Sequence, residues 1–206
     1  QFDVHQSPVL ALGTTRSGIH ASGDANGLLC FWTMEGGRLN VQHACPTPFG
    51  KIRHIASHPD GLMLATGSGQ VVVMADDGKV VSTVQAHARS AYWAGVHPTK
   101  PVTLSTGQDG ELVAHDGQQE VLRMPVHKSA VYRARMRGRL LWTASRDHDV
   151  KAWDLNTFDA VHKLHMPHTR SVNALALGGV DGTHVATGGD DRSVKVWHAS
   201  LGDTHH

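Results

Sequence analysis

Apolar and polar residues alternate in short runs along the whole chain, and turn-forming residues separate the runs. In residues 127–167 four such runs follow one another: AVYRARMR, RLLWTAS, DVKAWDL and DAVHKLH. Side chains two positions apart share one face of a strand, so period-two alternation over four to eight residues predicts half-buried strands. Gly138 alone separates the first two runs, which leaves room only for a tight turn. Residues 168–206 repeat the arrangement, with VNALALG, HVATGG and SVKVWHA held apart by GVDGT and DDR. No stretch keeps a helical period for more than about two turns, so the pattern predicts an all-β chain.

The pattern also repeats over longer distances. SRDHDVKAWDL at 145–155 returns as GDDRSVKVWHA at 189–199, and both place an Asp six residues before a Trp. Anchored on that Trp, equivalent positions fall at Trp32, Met74, His115, Trp153 and Trp197, at intervals of 42, 41, 38 and 44 residues. Asn26, Asp109, Asp147 and Asp191 precede four of these anchors by six residues. In the Met74 copy, TGSGQVVVM reads as a turn one residue shorter, with the acidic position lost. A second landmark, His5, His87, His127 or His168, stands four residues before an apolar stretch in HQSPV, HARSA, HKSAV and HTRSV, and Pro48 takes its place in the Met74 copy. A period of about 40 residues marks repeat architecture, each copy being one supersecondary unit that buries its apolar face only against a neighbour.

A His-led unit of this length, with four strands and Asp six residues before Trp, resembles the WD40 repeat of a β-propeller. The resemblance covers essentially the whole chain in five copies, at about 5–44, 45–86, 87–126, 127–167 and 168–206. It is strongest in RDHDVKAWD and DDRSVKVWH, moderate in GDANGLLCFW and QDGELVAHD, and weak in GSGQVVVMAD. Only Trp153-Asp154 keeps the literal Trp-Asp pair, and His115-Asp116 keeps its Asp. The resemblance implies a propeller of four-stranded blades, each holding a buried network of His, Asp, Trp and a strand hydroxyl. His127, Asp147 and Trp153, and His168, Asp191 and Trp197, are the best-formed sets. His87 and Asp109 form a third, and Thr143 or Ser145, and Thr187, are candidate hydroxyls. His, Asp and Ser or Thr could also compose a hydrolase triad, but recurrence in several copies favours the structural role, because catalysis needs one site.

The family resemblance further implies a binding surface where each innermost strand begins and at the residue before the turn Asp. Those positions are Arg89 and Tyr92, Lys128 and Tyr132, Arg170 and Asn173, then Gln108, Arg146 and Asp190, with Trp93 adjacent. Their basic and aromatic mix suits an acidic or phosphorylated peptide. The expected role is a non-catalytic scaffold in a multiprotein complex, binding peptides or domains on the rim of the central channel. The alternative is RNA binding in a ribonucleoprotein particle, through phosphate contacts on the same basic rim.

Composition narrows this picture in a few respects. The 206 residues carry a formal charge of +1 with His neutral, which argues mildly against RNA and against an anionic membrane surface. The chain holds 17 His, so its charge rises below about pH 6.5. Cys30 and Cys45 fit no metal or disulfide framework and are expected to be free thiols. His162, His165 and His168 lack an accompanying carboxylate or Cys, so no metal or other cofactor is expected. No apolar run approaches the roughly 20 residues that span a bilayer, and nothing resembles a signal peptide. An intracellular setting, cytoplasmic or nuclear, is therefore expected. WD40 propellers usually hold more than five blades. Either residues 1–4 supply a closing outer strand to a five-bladed ring, or the five copies belong to a six- or seven-bladed ring completed by further blades, including those of a partner chain; the latter is favoured.

Overall fold

A computed structural model describes residues 3–164, 167–179 and 183–198. It contains five antiparallel sheets, each a simple meander in sequence order. The first blade comprises β1 (Val9–Thr14), β2 (His20–Asp24), β3 (Leu28–Glu35) and β4 (Arg38–Pro46). The second comprises β5 (Ile52–His58), β6 (Gly61–Thr66), β7 (Gln70–Met74) and β8 (Val80–Gln85). The third comprises β9 (Ala91–Val96), β10 (Thr103–Gly107), β11 (Glu111–Asp116) and β12 (Gln119–Pro125). The fourth comprises β13 (Val131–Arg137), β14 (Leu140–Ser145), β15 (Val150–Asp154) and β16 (Ala160–Leu164). The fifth shows β17 (Val172–Gly178), β18 (His184–Gly189) and β19 (Val194–His198) among the described residues. The chain is all-β and built as a propeller of the expected blades. Of residues 1–4, only 3 and 4 are described, and they lie in no strand.

Contacts divide the chain into two compact units, Gln1–Val126 and His127–His206, with the boundary at the expected repeat junction before His127. In the first unit, Leu29 and Phe31 of β3 pack on Ile52 and Ile55 of β5, all of them almost completely buried. Val71 and Val73 of β7 pack in the same way on Ala91 and Ala94 of β9. In the second unit, Val150 and Ala152 of β15 pack on Val172 and Leu175 of β17 and Val185 of β18. In each of these three pairs one face of a blade is covered by the first strand of the next. Fully burying a Leu, Ile or Phe side chain is worth about 1.5–3 kcal/mol.

The turn between the second and third strands has one geometry in every blade. Its central residue is left-handed at Gly27, Gly69, Gly110, His148 and Arg192, with φ of 90°, 86°, 83°, 74° and 64°. These residues align five positions before Trp32, Met74, His115, Trp153 and Trp197. The Met74 copy is therefore no shorter than the others, contrary to the sequence reading; Ser68 stands in the acidic position. At His148 the left-handed conformation costs roughly 1–2 kcal/mol for a residue with a Cβ, whereas Gly loses an extra ~0.5–1 kcal/mol of chain entropy on folding. His148→Gly is accordingly expected to raise the urea midpoint by the equivalent of about 0.5 kcal/mol, and an unchanged or lowered midpoint would contradict the strain.

Candidate functional site

The repeated phrase builds a sealed hydrogen-bond network. In the fourth blade His127 Nδ1 lies 3.0 Å from Asp147 Oδ2, and His127 Nε2 lies 2.8 Å from Thr143 Oγ1. Trp153 Nε1 donates to the same Thr143 hydroxyl at 3.0 Å. The Asp147 carboxylate also accepts from the backbone N–H of Lys128 at 2.9 Å and of Asp149 at 3.1 Å. Burial alone would raise the Asp147 carboxyl, but the His127 ring and these two N–H groups outweigh it and hold it well below the usual carboxylate range. An ionised Asp147 can only accept, so His127 Nδ1 carries a proton toward it. Ser145 is not the network hydroxyl; it donates to Ser129 O at 3.2 Å.

The fifth blade repeats the set, with His168 Nδ1 to Asp191 Oδ1 at 2.9 Å, Nε2 to Thr187 at 2.9 Å, and Trp197 Nε1 to Thr187 at 3.1 Å. In the third blade His87 meets Asp109 at 2.8 Å and Ser105 at 3.0 Å. His115, in the place of Trp, is buried there, and that burial pushes its imidazole toward the neutral form. The first blade corrects the sequence reading. His5 bonds Asp24 at 3.1 Å and Ser22 at 2.7 Å, so Asp24 and not Asn26 completes the set. Asp24 stands two residues earlier yet accepts from Leu28 N at 2.9 Å, the counterpart of the Asp149 N–H held by Asp147.

The second blade abandons the network at every position together. Pro48, Ser68, Leu64 and Met74 replace His, Asp, hydroxyl and Trp, and Leu64 and Met74 join the apolar core. A half-satisfied buried network is worse than an apolar one, so the four changes belong together. The same geometry argues against a catalytic triad. Ser105, Thr143 and Thr187 are at most 1% exposed, so no substrate reaches their hydroxyls. Asp154, from the Trp-Asp pair, serves its own blade: it accepts from Asn156 N at 2.8 Å and pairs with Arg139 at 3.1 Å.

A second feature recurs in all five blades and faces outward. The first strand carries a β-bulge where its register against the second strand slips, at Leu10, Arg53, Tyr92, Tyr132 and Asn173. A bulge inserts an unpaired residue and re-aims its side chain. The residue before the turn acid is tied to the same place by its backbone. Gln108 N donates to Ser90 O at 2.9 Å, Arg146 N to Ala130 O at 2.9 Å, and Asp190 N to Ser171 O at 2.9 Å. Ala25 N and Gly67 N do the same to Pro8 O and Lys51 O.

The expected rim residues therefore gather blade by blade. Arg89 and Tyr92 stand with Gln108, Lys128 and Tyr132 with Arg146, and Arg170 and Asn173 with Asp190. Arg89, Lys128, Arg146, Arg170, Asn173 and Asp190 are exposed; Tyr92, Tyr132 and Gln108 are half-buried. Asn173 Nδ2 donates to Asp190 Oδ1 at 2.5 Å, and Thr169, Arg170, Asp190, Asp191 and Arg192 line an open cleft beside them. Trp93 departs from the expectation. The bulge at Tyr92 turns it the other way, and its ring is 3% exposed, in the core with His54 at 6.0 Å. Sequence reasoning missed Leu10 and Arg53, whose blades have weaker landmarks; Arg53 lies over the Tyr92 ring at 5.1 Å.

Other sequence features find local explanations. Arg133 and Arg135 turn back to the carbonyls of Tyr132 and Ala134, each at 2.9 Å. Cys30 is buried and Cys45 half-buried, and both are free. Cys30 pairs with Ala44 and Cys45 with Leu29, which puts the two thiols on opposite faces of the sheet. His162 stacks on Trp142 at 5.9 Å, and His165 lies outside the described residues. Among the described residues, no helix is long and apolar enough to cross a membrane.

Comparison with known proteins agrees with this geometry. The family model described as "WD domain, G-beta repeat" matches residues 160–198, the last strand of the fourth blade and the described strands of the fifth. Nuclear distribution protein PAC1 of Coccidioides posadasii is 27% identical over 187 residues, covering 81% of this chain and 39% of that protein. WD repeat-containing protein 1 of Mus musculus is 27% identical over 216 residues, covering 97% of this chain and 35% of that protein. DNA damage-binding protein 2 of Gallus gallus is 32% identical over 87 residues, or 40% of this chain and 17% of that protein. The chain thus spans less than two fifths of the length of these relatives. The similarity is consistent with a protein-interaction scaffold, and the WD40 family is generally non-catalytic. With five sheets of one design and His–Asp networks in four of them, the chain carries a WD40 repeat match over residues 160–198 and is similar to WD-repeat proteins.

Proposed function

We propose that this chain is a non-catalytic scaffold of an intracellular multiprotein complex, taking a partner peptide or domain on the blade rims. The observation that carries this reading is the fivefold bulge, which presents one side chain per blade beside the backbone-anchored residue before the turn acid. Rigidly held side chains on a strand edge lose little entropy on binding. Arg89, Lys128, Arg146 and Arg170 outnumber the one rim acid, Asp190, which Asn173 already engages. Tyr92 and Tyr132 add flat apolar surface beside them. That combination fits an extended acidic or phosphorylated peptide, through charge-assisted hydrogen bonds from Arg and ring contacts from Tyr.

Arg146 is exposed, while its backbone is fixed to Ala130. Arg146→Glu is therefore expected to leave the thermal melt unchanged and to weaken binding of acidic and phosphorylated peptides tenfold or more in fluorescence-polarisation titrations. Unchanged peptide affinity would remove this rim from the account. A parallel titration with an RNA oligonucleotide discriminates the other class of partner. A steep fall of affinity with salt, together with tight RNA binding, would replace the peptide reading.

A further inference from the structure

The second blade differs from the others in its turn as well as in its network. The turn acid and the residue before it are Gln108–Asp109, Arg146–Asp147 and Asp190–Asp191 in the third, fourth and fifth blades, but Gly67–Ser68 in the second. That turn therefore carries no carboxylate. The bulge residue on the first strand of the same blade is nonetheless an arginine, Arg53. In the fifth blade the bulge residue, Asn173, donates to Asp190, the residue before the acid. Gly67 offers Arg53 no such side-chain acceptor, and a Cβ added at Gly67 would stand 3.1 Å from the Cβ of Lys51.

The Arg53 guanidinium lies instead over the Tyr92 ring of the third blade, 5.1 Å from its centroid. Its Nε is buried and has no hydrogen-bond partner among the described residues. An N–H sealed from water without an acceptor is costly, and such a group in a folded protein calls for an explanation. Nε alone of the guanidinium nitrogens is sealed in this way, so the Nη edge is the reachable one. Contact with the ring fixes where that edge stands. Two more cations occupy the same strand ends. Gly67 N donates to Lys51 O at 2.6 Å, and Gly67 O accepts from Ser90 Oγ at 3.1 Å. One residue thus ties the approach to β5, with exposed Lys51, to the approach to β9, with exposed Arg89. The acids of the third-blade turn are already engaged, Asp109 by His87 at 2.8 Å and Glu111 by Arg123. All of these groups belong to the first unit.

We propose that Arg53, set over Tyr92 and flanked by Lys51 and Arg89, is the seat of a phosphate monoester. The inference rests on the peptide reading above and deepens it, the monoester being carried by a phosphorylated side chain of the bound peptide. Three cations at one turn exceed the single charge of a carboxylate, whereas a phosphate monoester brings a charge of about −1.5 to −2 and three acceptor oxygens. A guanidinium edge donates to two such oxygens side by side. With Gly67 and Ser68 in the turn, the second blade neutralises its arginine from within at neither position, which leaves the charge for an external anion.

The test follows the Arg53 Nε–H and the Tyr92 backbone N–H of the isotope-labelled full chain by NMR, during titration with phenyl phosphate or with acetate. Arg53→Lys is the variant, because lysine keeps the charge without the planar pair of donors, and circular dichroism checks its fold. The expected result is a saturable shift of both signals with phenyl phosphate and binding of acetate about tenfold weaker or less. Phenyl phosphate should bind Arg53→Lys about tenfold more weakly, read at Tyr92. Two fluorescent peptide pools, degenerate around a central phosphoserine or a central glutamate, place the group on a peptide. The phosphoserine pool should bind wild type more tightly and lose about tenfold in Arg53→Lys, while the glutamate pool changes little. Equal responses to phenyl phosphate and acetate, a shift that never saturates, or an Arg53→Lys protein that binds both phosphate probes as wild type does would overturn the proposal. In that case a loss of both pools in Arg146→Glu would leave the peptide reading standing without it. Phenyl phosphate bound at Arg53 by a protein that ignores both pools would keep the phosphate seat, remove the peptide reading and assign the seat to a small phosphate monoester.

Discussion

Asp147→Ala is expected to cost the second unit about 3 kcal/mol of stability, read as a fall in the urea midpoint. The substitution removes one acceptor group that serves three donors, the ring of His127 and the N–H groups of Lys128 and Asp149. The His127 side chain is fully buried and that of Asp147 only 9% exposed, so water does not readily replace the lost partner of the ring. Leaving a buried hydrogen-bonding group unpaired costs roughly 1–3 kcal/mol. Ser68→Ala, at the aligned position of the blade without a network, is expected to cost no more than about 1 kcal/mol. Equal losses at the two sites would mean that the carboxylate does not organise its blade.

The same carboxylate gives a pH signature whose sign is fixed. Asp147 ionises in the folded state well below its unfolded value, because His127 and the backbone donors favour the charged form against the burial that opposes it. Its contribution is therefore complete above the ordinary carboxylate range and lost as pH falls through and below about 4. Asp24, Asp109 and Asp191 are lowered in the same direction. Asp147→Asn should flatten the acid limb of the stability curve, and an unaltered limb would assign the acid sensitivity elsewhere.

Gly69→Ala is expected to be as damaging as Asp147→Ala, with a loss of about 2–5 kcal/mol in the first unit. Gly69 is left-handed at φ 86°, and a Cβ there would run into the carbonyl oxygens of His87 and Arg89. The left-handed conformation costs a residue with a Cβ about 1–2 kcal/mol, and overpacking against backbone adds roughly 1–3. Gly69 O also accepts from Ala86 N at 3.2 Å and His87 N at 3.0 Å, which holds the second-blade turn on the segment leading into the third. That segment carries both the network residue His87 and the exposed Arg89. Gly36 is the control, since it is left-handed at φ 57° but has nothing within 4 Å of its missing Cβ. Gly36→Ala should cost only the conformational part, about 1–2 kcal/mol. Equal effects at the two glycines would show that the close approach at Gly69 is relieved without cost.

Much of this architecture is legible in the chain because its determinants are local. A meander blade pairs only strands adjacent in sequence, so alternation and turn residues suffice to place β13 to β19 within a residue or two. The hydroxyl and Trp of a blade lie on neighbouring strands and the Asp in the turn that joins them, which makes a fixed six-residue spacing a reliable sign of the network in the fourth and fifth blades. Where the landmarks weaken, spacing misleads. Asn26 holds the expected place in the first blade, yet Asp24 reaches the same donors from two residues earlier, a substitution in space that linear counting misses. The second blade reads as damaged in sequence, and only its packing shows a coordinated exchange of a polar core for an apolar one.

By itself the sequence determined the all-β class, the five repeats, the order of strands within each, and the His–Asp–hydroxyl–Trp sets of the best-formed copies, because each depends on short-range pairing. Tertiary structure decided which side chains reach the surface. A β-bulge leaves no mark in period-two alternation, yet it reverses the side on which the following residues emerge, so Tyr92 is half-buried and Trp93 lies in the core. Val194 and Val196 read in sequence as ordinary core positions, like Val150 and Ala152. Burial belongs to the neighbour that covers a residue, and no alternation pattern records whether that neighbour is there.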